Sequence, residues 1–277
     1  MDYKTILVHL DNSTGCANRL DVAIGLAREF DARLMGLFVV PSYLVPSYVE
    51  AQVSADLITE VTERAMARAR DTVAEQQKVA EAAGVSLQTA VIEGQPIPLL
   101  REYSRYADLL VLGQDDPDDA DNASYGVADA LLFEGACACL VVPHSGSPAV
   151  PGKRVLLAWN ASRESARALR EAMPLLQRAE QVSIVTSEGA DAPPINGEAL
   201  GQALRTRLSA HGIDASDSGF NETDINATDA IIGQAADMDA DLIVMGAYGH
   251  ARLREIILGG VTRDLLKRAP TCLLLAH

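Results

Sequence analysis

Aromatic residues are scarce in this chain: phenylalanine, tryptophan and tyrosine make up 4% of 277 residues, with a single tryptophan. Because 48% of the chain is nevertheless hydrophobic, the core has to be built from Leu, Val, Ile and Ala. Positive charge is also short. Lys and Arg number 23 against 38 Asp and Glu, a formal charge of −15. Nucleic acids and anionic lipid surfaces are polyanions and are repelled by such a surface, so neither is expected as a partner. No apolar run approaches the roughly 20 residues of a membrane-spanning helix. The opening MDYKTILVHLDNS lacks the basic start, apolar stretch and small-residue cleavage site of a secretion signal, and Ile6 to Leu10 reads as a strand. Four cysteines are too few for a disulfide scaffold. The pair Cys137 and Cys139 sits in the apolar run CACLVVP, which reads as a buried strand. His9, His144, His211, His250 and His277 show no metal-ligand spacing. A reducing cytoplasm suits all of these absences.

What is present is a repeat. KTILVHLDNS from Lys4 returns as KRVLLAWNAS from Lys153, and ADLLVLG ending at Gly113 returns as ADLIVMG ending at Gly246. CLVVP from Cys139 returns as CLLLA from Cys272. One unit of about 140 residues written twice accounts for nearly the whole chain. The Pro-, Gly- and Ser-rich PHSGSPAVPGK (143–153) reads as a connection, which sets domains at 1–144 and 152–277 with a linker at 145–151.

Within the first copy, periodicity predicts strands at 5–10, 34–40, 86–92, 108–112 and 139–142. Helices fall between them, at about 17–30, 50–83, 97–106 and 125–133. The long helix carries Val53, Leu57, Val61, Ala65, Ala69 and Val73 at four-residue spacing, expected to pack as one stripe. Short strands apolar on both faces and separated by helices imply parallel pairing with right-handed crossovers. The expected fold class is α/β: two tandem doubly wound domains, each a five-stranded parallel sheet flanked by helices. Such sheets take ligands beyond the carboxyl ends of their strands, where strand order reverses.

The segment MGAYGHARLREIILGGVTRDLL (245–266) ends a predicted strand at Gly246 and opens a predicted helix at Gly259–Gly260. A helix start offers unsatisfied N–H groups and a partial positive charge to phosphate oxygens, and the Thr262 hydroxyl adds a donor. Turn glycines around a short helix would give the same pattern. It is neither the P-loop spacing nor the G-x-G-x-x-G of a dinucleotide turn.

Gly246-x-x-Gly249, nine residues, then Gly259 followed by Gly260, Val261 and Thr262 resembles the G-x2-G-x9-G-[S/T] motif of the universal stress protein family. Gly260 replaces the usual Ser or Thr. The resemblance covers both copies and is that of a tandem member. It implies a Rossmann-like fold of the adenine-nucleotide alpha-hydrolase type, and ATP, or ADP or AMP, bound at the strand ends in a stress response. It places Asn160, where the family commonly has Asp, against adenine or ribose, and Ser187 against adenine. Met245, Gly246, Gly249, Gly259, Gly260 and Val261 match the remaining contacts. Mg²⁺ is allowed by the ligand, although no ligand set for it stands beside Gly259 and Gly260. Arg252 and Arg254 are within reach of a triphosphate or solvated, and His250 is the loop's one group that titrates near neutrality.

In the first copy, Asp116, Val127 and Asp129 stand where Gly249, Gly260 and Thr262 stand in the second, and Asp115, Asp116, Asp118, Asp119 and Asp121 crowd the loop. Carboxylates there repel a triphosphate, so the nucleotide is expected in the second copy alone, with the acidic loop solvated or holding a cation. No general base is positioned near the motif. The expected activity is therefore nucleotide binding, ahead of slow ATP hydrolysis and of a nucleotide-independent scaffold. The sequence does not specify protein partners. The family resemblance implies that the closing strands, Cys139 to Val142 and Cys272 to Leu275, pair into an internal pseudo-dimer, with a further homodimer left open.

Overall fold

The computed structural model describes residues 2–42, 55–119, 126–144, 146–147, 150–186, 197–217, 227–248 and 260–277. Its N-terminal half runs β1 (Thr5–Leu10), α1 (Cys16–Phe30), β2 (Arg33–Pro41), α2 (Ala55–Ala82), β3 (Leu87–Gly94), α3 (Pro96–Ser104), β4 (Leu109–Gly113), α4 (Val127–Glu134) and β5 (Ala138–Val142). The C-terminal half repeats the order: β6 (Arg154–Trp159), α5 (Arg163–Leu176), β7 (Gln181–Thr186), α6 (Gly197–Ser209), β8 (Ala215–Asp217), α7 (Ala227–Asp237), β9 (Leu242–Gly246), α8 (Gly260–Arg268) and β10 (Cys272–Ala276).

All ten strands form one sheet, ordered β3-β2-β1-β4-β5-β10-β9-β6-β7-β8. Pairing is parallel within each half. The halves meet antiparallel, with Leu273 opposite Val141, Leu274 opposite Leu140 and Leu275 opposite Cys139. These two strands are fully apolar and buried. Left unpaired, each would be a sticky edge; paired, each covers the other.

Because side chains alternate along a strand, the sheet divides the core in two. Ile6, Val8 and Leu10 face α1, α2, α5 and α6 on one side. Leu7, Leu110, Leu112, Ile243 and Leu275 face α3, α4, α7 and α8 on the other. Cys139 and Cys272 are buried strand residues and free thiols, and burial pushes the Cys272 thiol up to about 12.

The long helix departs from expectation. Val53 lies outside the described residues. Ala69 and Val73 are buried, but Leu57 and Val61 are 50% and 39% exposed. An α-helix turns about 100° per residue, so a four-residue step drifts by about 40° and a stripe of such steps winds off the buried face. The helix docks through its C-terminal turns and its first turns stand away from the sheet.

Strand order reverses between β1 and β4 in one half and between β6 and β9 in the other. The carboxyl ends of these strands therefore bound two equivalent crevices.

Candidate functional site

In the C-terminal crevice β6 ends at Trp159 and the chain turns at Asn160, whose Oδ1 accepts the Ser162 N–H at 3.1 Å. Ala161 takes a left-handed conformation, φ 56°. Ser162 then caps α5, its hydroxyl accepting the Ser165 N–H at 3.1 Å, as expected of an N-cap serine. With the Asn160 side-chain carbonyl engaged in this turn, its Nδ2 amide is the group that has no partner among the described residues.

On the other wall Met245 is buried, paired with Ala158 of β6 and Leu275 of β10. Gly246 lies hard against the first turn of α5. A Cβ there would come within 2.3 Å of the Ser165 nitrogen and 2.5 Å of the Glu164 carbonyl carbon, closer than backbone atoms allow. The absence of a side chain at Gly246 is thus demanded by packing before any ligand is considered. After Gly246 the Ala247 N–H donates to the Ala276 carbonyl at 2.9 Å, and the Tyr248 N–H donates to Oγ1 of buried Thr262 at 3.3 Å. Thr262 ties the turn after β9 to the first turn of α8.

Among the described residues that first turn is open: Gly260 is exposed and a Cβ on it meets no described atom within 4 Å, while Val261 is half-buried. The N–H groups of Gly260, Val261 and Thr262 begin a nine-residue helix and have no intrahelical acceptor there. This donor set fits an anion. Ser187, Gly249 and Gly259 lie outside the described residues, as do His250, Arg252 and Arg254. Of the residues expected at a nucleotide, the structure brings Asn160, Met245, Gly246, Gly260, Val261 and Thr262 to the carboxyl ends of β6 and β9.

Two further residues belong to this crevice and carry no motif signal. Glu164, buried against Gly246, stands where the N-terminal half has Gly15. Burial works against its carboxylate, but its own backbone N–H and the Arg163 guanidinium outweigh that and hold it below the usual carboxyl value. Tyr248, the bulky residue inside Gly246-x-x-Gly249, crosses to the other half: its hydroxyl donates to Asp129 of α4 and its ring stacks on Phe133 at 4.0 Å. An aromatic between two loop glycines was the available hint.

The N-terminal crevice is narrowed from within to a cavity of about 20 Å³. Arg19 of α1 projects into it, donating to Oδ1 of Asp11 at 2.7 Å and to the His9 carbonyl at 2.7 Å. A Cβ on Gly113 would meet its Nη1 at 2.3 Å. Asp11 also accepts the Ser13 N–H at 3.0 Å, the same turn that Asn160 makes. The acidic loop folds over this cluster. Asp119 accepts the Thr14 N–H at 2.9 Å, and Asp115 accepts the Gly126 N–H at 3.0 Å at the start of α4. Carboxylates of the chain itself thus sit on the backbone donors that phosphates would seek. His9, fully buried, is pushed down to about 4, by burial first and by Arg19 second.

The sequence profile of the universal stress protein family matches residues 2–143 and again 152–277. The chain belongs to the universal stress protein family. Its two halves are the two matched copies. Among curated relatives it is similar to universal stress protein MJ0531 of Methanocaldococcus jannaschii, 28% identical over 146 residues, which is 50% of this chain and 82% of that one. Among solved structures it superposes on a universal stress protein of Archaeoglobus fulgidus with a TM-score of 0.73, covering 98% of this chain and 95% of that one at 18% identity. A universal stress protein of Pseudomonas aeruginosa matches 99% of this chain and 93% of its own at a TM-score of 0.55 and 16% identity. Identities this low establish the shared fold, an α/β sheet repeated in tandem. No described helix is long and apolar enough to cross a membrane.

Proposed function

We propose that this universal stress protein binds an adenine nucleotide, ATP first and ADP or AMP in its place, in the crevice between β6 and β9 of its C-terminal half. Asn160 and Ser187 hold the adenosine, Met245 and Gly246 line the strand end, and Gly249, Gly259, Gly260, Val261 and Thr262 receive the phosphates. The observation that carries the reading is the open first turn of α8 at Gly260, beside the point where strand order reverses. The N-terminal crevice, with Arg19 projecting into it and Asp115 and Asp119 on the Gly126 and Thr14 N–H groups, keeps a cavity of only about 20 Å³, too small for the same ligand. Occupancy of a single site makes the protein a cytoplasmic binding protein that responds to nucleotide supply under stress.

The test is to purify the protein without added nucleotide, denature it and identify what is released by chromatography, beside a Gly260→Asp variant, which sets a carboxylate at the start of α8 where a side chain has room. About one adenine nucleotide per chain in the parent and none in the variant supports the reading. Release of ADP or AMP alone turns it toward slow hydrolysis. An empty parent that also ignores millimolar ATP sinks it and leaves a scaffold.

A further inference from the structure

Tyr248 is held from both halves of the chain at once. Its backbone N–H donates to Thr262 at the start of α8; its phenol donates to Asp129 at the start of α4. Thr262 and Asp129 occupy the same place in the two copies of the repeat, each the third residue of the helix that precedes the closing strand. The stack on Phe133 is close and nearly parallel, 4.0 Å between centroids at 18°, and His277 packs edge-on against Phe133 at 5.1 Å. Tyr248 has φ 59°, a left-handed conformation that bulky side chains avoid unless their surroundings impose it. The surroundings that impose it here belong partly to the N-terminal half.

Tyr248 is two residues from Gly246 and hydrogen-bonded to the first turn of α8. Any movement of α4 relative to α8 is therefore transmitted to the turn on which the nucleotide site depends. We infer that Asp129 and Phe133 of the N-terminal half are positioning residues for the C-terminal site, clamping Tyr248 so that the turn after β9 is preformed and so that nucleotide occupancy is felt at α4. The clamp stands on the geometry of Tyr248 alone; its link to nucleotide rests on the function proposed above. It gives the N-terminal half, whose own crevice is occupied by Arg19, a task in the other half's binding.

Amide hydrogen exchange on the full-length protein, read at Tyr248 and along α4, separates the two claims. Without nucleotide, Tyr248→Phe and Asp129→Ala are expected to speed exchange of the residue-248 amide by about fivefold or more, as loss of a local clamp does, while amides of β2 keep the parent rate. Asp129→Asn retains an acceptor and Phe133→Tyr retains the stack; both are expected within about twofold of the parent. Parent-like exchange at residue 248 in Tyr248→Phe and Asp129→Ala would overturn the clamp. So would an equal rise at β2, which means general loosening. With millimolar ATP added, the parent is expected to show slowed exchange across Asp129 to Phe133, and Tyr248→Phe is not. ATP binding to the parent without that change overturns the coupling. A parent that does not bind ATP refutes the nucleotide reading instead, and the exchange rates without nucleotide still decide the clamp.

Discussion

Arg19→Ala tests the reading of the N-terminal crevice most directly. The guanidinium is 3% exposed and 2.7 Å from Asp11. At an effective dielectric near 20 this separation is worth about 6 kcal/mol of gross attraction, against which stands the cost of taking two charges out of water. Deleting one partner leaves the other charge buried without its counter-ion, which costs about 3–5 kcal/mol. Asp11, itself only 8% exposed, would be that charge. For a chain of this size the melting temperature should fall by about 10 °C, on a scale of roughly 2–4 °C per kcal/mol. The double variant Arg19→Ala/Asp11→Ala should recover about half of the loss, since neither charge is then stranded. Urea denaturation followed by circular dichroism measures both. The variant is not expected to gain a nucleotide site, because Asp115 and Asp119 still hold the backbone donors of Gly126 and Thr14. A single variant within 1 kcal/mol of the parent (a threshold of about one typical mutational effect), or a double variant no better than the single, would refute the account of Arg19 as a paired plug.

Further outcomes follow from other contacts. Gly260→Ser places a hydroxyl at the open start of α8; stability should hold, and ATP affinity should rise about two- to tenfold, the worth of one added hydrogen bond, by calorimetry. Gly246→Ala forces a methyl into the backbone of α5 and should cost about 1–3 kcal/mol by denaturation while abolishing nucleotide binding. Ser162→Ala removes the cap of α5 and should cost about 1 kcal/mol in the same assay. His9 binds its proton at about 4 when folded and at about 6.5 when unfolded, so the unfolded chain takes up the proton first as pH falls. Its contribution is complete above pH 6.5 and drains away down to about pH 4, some 3 kcal/mol in all. Urea midpoints measured across that window should lose this share of the slope in His9→Gln.

The repeat, the strand ends and the parallel sheet are legible in the sequence because each is a local pattern, and each apolar strand announces its own burial. The stripe on α2 failed where a local pattern was extended too far: a four-residue period does not match 3.6 residues per turn, so Leu57 leaves the face that Val73 buries. Around the candidate site, the glycines could be picked out by spacing, but the reason for Gly246 could not, since Glu164 and Ser165 approach it from more than 80 residues away in sequence. Asp11 has its partner Arg19 eight positions on, among helical residues with nothing to mark it as a plug. Thr262 read as a hydroxyl available to a ligand, and in the structure its oxygen first accepts the Tyr248 N–H. The contact of Tyr248 with Asp129 spans 119 positions and exists only because β5 and β10 bring α4 beside α8.

The antiparallel seam between β5 and β10 has one more consequence. Two identical chains meeting on such a seam would form an isologous contact, in which every substitution appears on both sides of the axis. A change that spoiled one crevice would spoil both, and an acidic residue introduced on one helix would face its own copy. Joining the halves in a single polypeptide lifts that constraint. Aspartate at position 129 and threonine at position 262 then differ freely across a seam that remains nearly two-fold in shape, and one side can surrender its cleft to become fixed lining for the other.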